Sequence, residues 1–326
     1  MQRPLFGPFW NEGELSILFA DTGKGKSILA VQIGQSIASG VRFEPFELSA
    51  PAQRVVYFDF ELGEQQFASR YCAAGKDGRL IPDSLPFADN FIRASPRYDD
   101  PNDLPPEYRD YTEYLTASLV QFIEFTEAKV VIIDNITWLN GSTQSVTAAL
   151  RLMKALKSLK TRLSLSILVL AHTPKRYGSS PMTINDLQGS KMLANFADNI
   201  FAMGASHHEK DIRYLKHLKL RNAALQYDAS QVCTLRLGKL SVVSSADSRL
   251  TIPDLPRSFL GFEFIGHARE RDHLGWYGTQ YEPERQEMME KARNLKEKGK
   301  TQREIAETLG ISPATVSRYL GKYRER

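Results

Sequence analysis

Leu15-Ser16-Ile17-Leu18-Phe19-Ala20-Asp21-Thr22-Gly23-Lys24-Gly25-Lys26-Ser27 is the stretch that decides the fold. Its first six residues are apolar apart from one serine, the composition of a strand buried on both faces. Residues 27–37 carry a helical pattern. A glycine-rich loop therefore joins a buried strand to a helix. The glycines let the backbone wrap closely around an anion, and the loop amides and helix N-terminus face it. Ala20, Asp21, Thr22, Gly23, Lys24, Gly25, Lys26 and Ser27 are expected to cradle the phosphates of ATP. Lys26 would reach the β- and γ-phosphates, and the Ser27 hydroxyl would bind Mg²⁺. Ala20 stands where the strict motif has glycine, a place that a small side chain tolerates. An ordinary glycine-rich turn would not need the strand, the Gly-Lys-Ser and the helix together.

Outward from this loop, apolar runs recur at 55–60, 130–133 and 167–170, with helical spacing at 63–71 and 146–159. Alternating strands and helices predict an α/β fold with a mostly parallel sheet. After residue 200, strands predicted at 212–220, 232–237 and 240–243 suit an antiparallel extension. Residues 75–110 read as a long loop. Residues 250–283 hold three prolines and little periodicity. The expected organisation is an ATPase domain over 1–248, a linker or arm over 249–283 and a small helical domain over 284–326.

The chain has 326 residues and a formal net charge of +4. From Arg285 onward 11 basic and 6 acidic residues give +5, so the remainder carries −1. A near-neutral body with a basic tail points to a polyanion at that end, or to a solvated helical tail. No apolar run has the roughly 20 residues of a membrane span, and the N-terminus lacks a secretory pattern. Cys72 and Cys233 lie too far apart to suggest a metal or disulfide framework. A cytoplasmic protein is expected.

Lys129-Val130-Val131-Ile132-Ile133-Asp134-Asn135 is an apolar strand ending in an acid. Asp134 would hold Mg²⁺ or else cap the next turn. With the Glu12-Gly13-Glu14-Leu15 lead-in, these motifs resemble the RecA/DnaB branch of P-loop ATPases, nearest to RepA-type hexameric helicases. The resemblance covers roughly residues 8–245. It implies a catalytic Glu after the second strand, which Phe58-Asp59-Phe60-Glu61 matches at Glu61, with Asp59 and Glu64 as competitors. It also implies a sensor at the end of Leu168-Val169-Leu170-Ala171-His172, where His172 stands. Leu187-Gln188-Gly189-Ser190-Lys191 with Ala197-Asp198 resembles the family's following loop and strand entry, near which loops of relatives line the DNA channel. Lys219 and Arg221 match the Lys-x-Arg finger that relatives insert into a neighbouring subunit's ATP site. Two residues apart on a strand, they would share one face. A basic edge strand guarding against aggregation is the alternative. The chain's start at the core is expected to leave no room for a primase or collar segment, a departure from replicative helicases.

Thr301-Gln302-Arg303-Glu304 is a capping box that opens a helix, and Ser312-Pro313 opens another. Ile305, Leu309, Ile311, Val316 and Leu320 would form a core, with Met288, Ala292 and Leu295 on a preceding helix. This resembles a helix-turn-helix, whose second helix would present Ala314, Thr315, Ser317 and Arg318 to DNA. A helical protein–protein module is the alternative. The expected whole is a hexameric, ATP-dependent helicase of a plasmid or mobile element acting on single- and double-stranded DNA. A DNA-bound regulator or accessory without unwinding activity, or a KaiC-like signalling ATPase, would use the same parts.

Overall fold

A computed structural model describes residues 3–72, 87–95, 104–135, 145–174, 180–187, 190–221, 223–241, 258–275, 281–311 and 313–321. It begins with a small hairpin, β1 (Pro4–Phe6) and β2 (Trp10–Asn11), followed by β3 (Leu15–Ala20) and α1 (Lys26–Ser39). Next come β4 (Val55–Asp59), α2 (Glu64–Tyr71), β5 (Phe91–Ala94) and α3 (Tyr111–Thr126). Then follow β6 (Val130–Asp134), α4 (Ser145–Leu163), β7 (Ser166–His172) and α5 (Ser190–Phe196). The body closes with β8 (Asn199–Ala205), β9 (Ile212–Leu220), β10 (Val232–Ser241) and β11 (Ser258–Ala268). A short turn, Glu270–His273, follows β11.

The nine-stranded sheet has the order β11-β10-β9-β8-β3-β7-β6-β4-β5. From β8 to β5 neighbouring strands are parallel, and from β8 to β11 they are antiparallel. Side chains alternate across each strand, so the sheet builds two cores. Leu18, Tyr57, Ile132 and Leu170 pack with Leu29 and Ile33 of α1. Ile17, Phe58, Ile133 and Val169 pack with Leu119 of α3 and Leu156 of α4. Helices on both faces explain why the parallel strands read as unbroken apolar runs.

Three expectations change. The loop expected over 75–110 contains β5, which extends the parallel edge beside β4. The two strands expected at 232–237 and 240–243 are a single strand at least through Ser241. The linker expected over 249–283 contains β11, which pairs with β10 from Ser258 to Ala268. Phe259 and Phe262 of β11 enter the core beneath α1. The Gln32 side-chain amide donates to Phe262 O at 2.8 Å and accepts from Phe262 N at 2.7 Å. A side chain thus covers a backbone position that an edge strand would expose. Prolines and glycines around β11 broke the periodicity that would have revealed it. The sequence reading also passed over α3, whose N-cap Asp110 accepts from Glu113 N at 2.9 Å.

The C-terminal unit consists of α6 (Tyr281–Glu297), α7 (Gln302–Leu309) and α8 (Pro313–Gly321). Ala292, Ile305, Ala306, Val316 and Tyr319 form its core, with Met288, Leu295, Leu309, Ile311 and Leu320 packed around them. The Thr301–Glu304 capping box is formed, and Gly310 ends α7 at φ 64°. The expected cap Ser312 lies outside the described residues. Among the described residues no helix is long and apolar enough to cross a membrane. Cys72 and Cys233 are both buried.

Candidate functional site

Four strand ends meet on one side of the sheet. Ala20 of β3 pairs with His172 of β7, and Asp59 of β4 pairs with Asp134 of β6. Ligands of open α/β sheets bind beyond such carboxyl ends. At the head of α1, Gly23 and Gly25 have φ of 71° and 100°, which disfavours any side chain. Gly25 is doubly constrained, because a Cβ there would lie 2.8 Å from the Phe262 ring. No side chain caps α1, and its first turn has no acid. Its first amides therefore remain available to an anion. Arg213 of β9 steadies the loop by donating to Lys24 O at 2.8 Å. Thr173 does the same through a hydrogen bond to Asp21. Thr22 is exposed in the loop.

Lys26 is only 4% exposed. Burial lowers its pKa, opposed by the charges of Asp134, Glu61 and Asp21. Its Nζ donates to Ala20 O at 3.3 Å and lies 3.0 Å from His172 Nδ1. An ammonium has only donors, so Nδ1 accepts and the imidazole proton sits on Nε2. That N–H points at Glu61 Oε1, 2.9 Å away. The Asn135 amide also donates to Glu61. Its nitrogen lies 3.0 Å from Nε2, but two donors do not bond each other. Lys26, His172 and Glu61 therefore form a directed chain, with Asn135 bracing its end. The His172 hydrogen bond holds the Glu61 carboxyl below its usual range, against the opposing effect of burial.

Of the competitors, Asp59 is committed elsewhere. It is buried, paired with Arg93 at 2.9 Å, and accepts from the amides of Glu61 and Leu62. Glu64 is exposed in the first turn of α2. Asp134 is fully buried, and Tyr57 Oη donates to its Oδ2. Burial pushes its carboxyl up to about 6, against the pull of Ser27 and Tyr57 towards the carboxylate. Its Oδ1 is buried without a hydrogen bond of good geometry, so the Ser27 hydroxyl lies beside the carboxyl rather than satisfying that atom. A buried oxygen left open beside a serine hydroxyl fits a hard cation such as Mg²⁺.

Lys219 and Arg221 lie elsewhere. Ser16 of β3 pairs with Asn199 of β8, and Asn199 pairs with Leu220 of β9. The pair is thus level with the start of β3, about 15 Å below the phosphate loop at ~3.3 Å per residue. Lys219 donates to Ala194 O and Ala197 O, the latter at 2.8 Å. Arg221 donates to Asn195 O at 3.2 Å and pairs with Asp198 at 3.1 Å. On α8, Ser317 is exposed and Thr315 half-buried, while the side chains of Ala314 and Arg318 lie outside the described residues. Gln188 and Gly189 of the expected channel loop also lie outside them.

Sequence reasoning missed Asn135, Tyr57, Arg213 and Phe262. Asn135 had a signal, as a polar residue directly after the strand-ending acid. Tyr57 had one too, since a phenol inside an apolar run needs a partner. Arg213 and Phe262 reach the loop from distant strands and had none.

A phosphate loop between a buried parallel strand and an uncapped helix, facing a buried acid two strands away, defines a P-loop ATPase with a RecA-like sheet. Residues 1–178, more than half the chain, match the AAA domain family, and the chain belongs to it. Residues 289–321 match the helix-turn-helix family. No curated protein matches the chain. Among solved structures, a KaiC-like protein from the hyperthermophilic archaeon Pyrococcus horikoshii is similar. That match has a TM-score of 0.51 and 11% identity over 81% of this chain and 100% of that one. At that identity the likeness is one of fold.

Proposed function

We propose that the chain is an ATP-hydrolysing DNA-binding motor, in kind a RepA-type oligomeric helicase of a plasmid or mobile element. The observation that carries this reading is the position of Lys219 and Arg221. They sit at the end of the sheet away from their own phosphate loop, so any nucleotide they serve as a finger belongs to a neighbouring chain. A site completed by a neighbour makes the active form a ring or filament, and a hexamer fits best. In each site Lys26 and the α1 amides hold the phosphates. Mg²⁺ at Ser27 and Asp134 would neutralise charge between the phosphates. Glu61, kept ionised by His172 and Asn135, takes a proton from the attacking water. The neighbour's Lys219 and Arg221 stabilise charge that develops on the transferred group. The helix-turn-helix, with Ala314, Thr315, Ser317 and Arg318 facing bases, brings this motor to a DNA site.

Strand displacement on forked DNA with ATP tests the reading. Unwinding is expected, whereas DNA-stimulated hydrolysis without displacement would make the chain a regulator or accessory. Arg221→Ala and Glu61→Gln chains, each nearly inactive alone, should recover activity when mixed, because one mixed interface has both groups intact. No recovery would refute the shared site.

A further inference from the structure

Arg93 reaches the turn that carries Glu61 from the edge of the sheet. β5 runs parallel to β4, with Arg93 level with Tyr57 and Ala94 level with Phe58. Residues two apart on a strand share a face, so Arg93, Tyr57 and Asp59 point to the same side. A long side chain on β5 can therefore run along β4 as far as Asp59. Arg93 Nε donates to Asp59 Oδ2 at 2.9 Å, and a terminal nitrogen stands 2.9 Å from the same oxygen. That nitrogen also donates to Leu62 O at 2.7 Å. The guanidinium carbon lies 4.2 Å from the centre of the Phe67 ring on α2. The Asp59 side chain is fully buried, and that of Arg93 is 16% exposed.

These contacts close a ring around residues 59–62. The other Asp59 oxygen accepts from Glu61 N at 3.1 Å and from Leu62 N at 2.9 Å. Just before Glu61, Phe60 N donates to Asp134 O at 2.6 Å. The backbone is thus tied on both sides of Glu61, while its carboxylate meets His172 and Asn135. A pair that only braced the edge strand would end at the Asp59 carboxylate. This one continues into the amides of Glu61 and Leu62 and the carbonyl of Leu62. Without Arg93, Asp59 would be a buried carboxylate stripped of its cation, which is strongly unfavourable. Any movement of Asp59 towards water takes with it the acceptor that holds Glu61 N.

We propose that Arg93 is a positioning residue for hydrolysis, acting through Asp59 to hold Glu61 against the attacking water. This rests on the reading of Glu61 as the base. The planar fork of an arginine serves the carboxylate and the Leu62 carbonyl together, whereas a lysine offers a single point of charge. Arginine is therefore the side chain this turn requires.

The test is single-turnover ATP hydrolysis by full-length chains, with the affinity for a fluorescent ATP analogue measured alongside. Arg93→Met and Arg93→Lys are each placed in the wild-type chain and in a Glu61→Gln chain. In the wild-type chain Arg93→Met should slow hydrolysis by roughly 10- to 100-fold, because misplacing a reacting group by about 1 Å costs on that order. Arg93→Lys should slow it less, and analogue affinity should be unchanged in both. In the Glu61→Gln chain neither substitution should slow the residual reaction further, since effects that pass through one group do not add. If Arg93→Met does not fold, Arg93→Lys keeps the buried charge and decides by the same comparison. Equal slowing in both backgrounds would overturn the proposal, as would a fall in affinity that matches the fall in rate. A wild-type rate in every folded Arg93 variant would reduce the pair to a brace for the edge strand. Glu61→Gln hydrolysing like wild type would instead overturn the reading of Glu61 itself.

Discussion

Asp134 pays for its position in the absence of a cation. Its pKa of about 6 in the folded chain lies above the ordinary 3.8. Between those values the folded chain keeps a proton that the unfolded chain releases. Folding stability therefore falls as pH rises from about 4 to about 6 and stays lowered above that. Asp134→Asn should remove this slope and raise metal-free stability at pH 7 by up to about 3 kcal/mol, while abolishing Mg²⁺-dependent hydrolysis. Denaturant titrations at pH 4 and 7 in chelator check both the sign and the size. Lys26→Ala should abolish hydrolysis, and wild-type turnover in that variant would remove Lys26 from the mechanism. His172→Ala cuts the chain between Lys26 and Glu61, so a loss in kcat with nucleotide affinity kept is expected. An equal loss in both would give His172 a merely structural part. At this scale most of the candidate site was legible. Lys26, Ser27, Glu61, Asp134 and His172 all stand at strand ends or helix starts, where local pattern gives position. Asn135 was readable from its neighbour and was passed over.

At the scale of elements, α1 depends on β11, a strand that reaches it from the far end of the body. Gln32 satisfies both backbone groups of Phe262, and the Phe262 ring rests on Gly25. Phe262→Ala should cost about 3–5 kcal/mol as a core deletion. Gln32→Ala should cost about 1–3 kcal/mol for each backbone group left unpaired. Both should also weaken nucleotide binding, which calorimetry with an ATP analogue would detect. A stability loss with unchanged affinity would separate the strand from the loop. The parallel elements were legible because each buried strand is a short apolar run closed by polar residues. β5 and β11 were not. Each is an edge strand beside proline-rich sequence, and only its pairing with β4 or β10 makes it a strand.

For the molecule as a whole, the boundary that matters falls after His273, because the body includes Glu270–His273 and the helical unit follows. A chain ending at 280 should keep basal hydrolysis and lose sequence-specific DNA binding, measured by gel shift against its own site. A chain ending at 248 should fail to give soluble ATPase, because it lacks β11. If the shorter chain hydrolysed ATP normally, β11 would be dispensable. The helix-turn-helix was legible because its Thr301–Glu304 box and its core lie within some forty consecutive residues. The cation cluster around Asp198 was not, since Lys160, Asp198 and Arg221 meet only in the fold. The position of β11 also bears on synthesis. Domains fold as they emerge, from the N-terminus onward. The phosphate loop emerges among the first residues, but its closing strand is among the last of the body. A chain interrupted midway on the ribosome would carry an intact phosphate-loop sequence and no finished engine. If β11 is needed as argued, hydrolysis is expected only once nearly the whole chain, up to the helix-turn-helix, has been made.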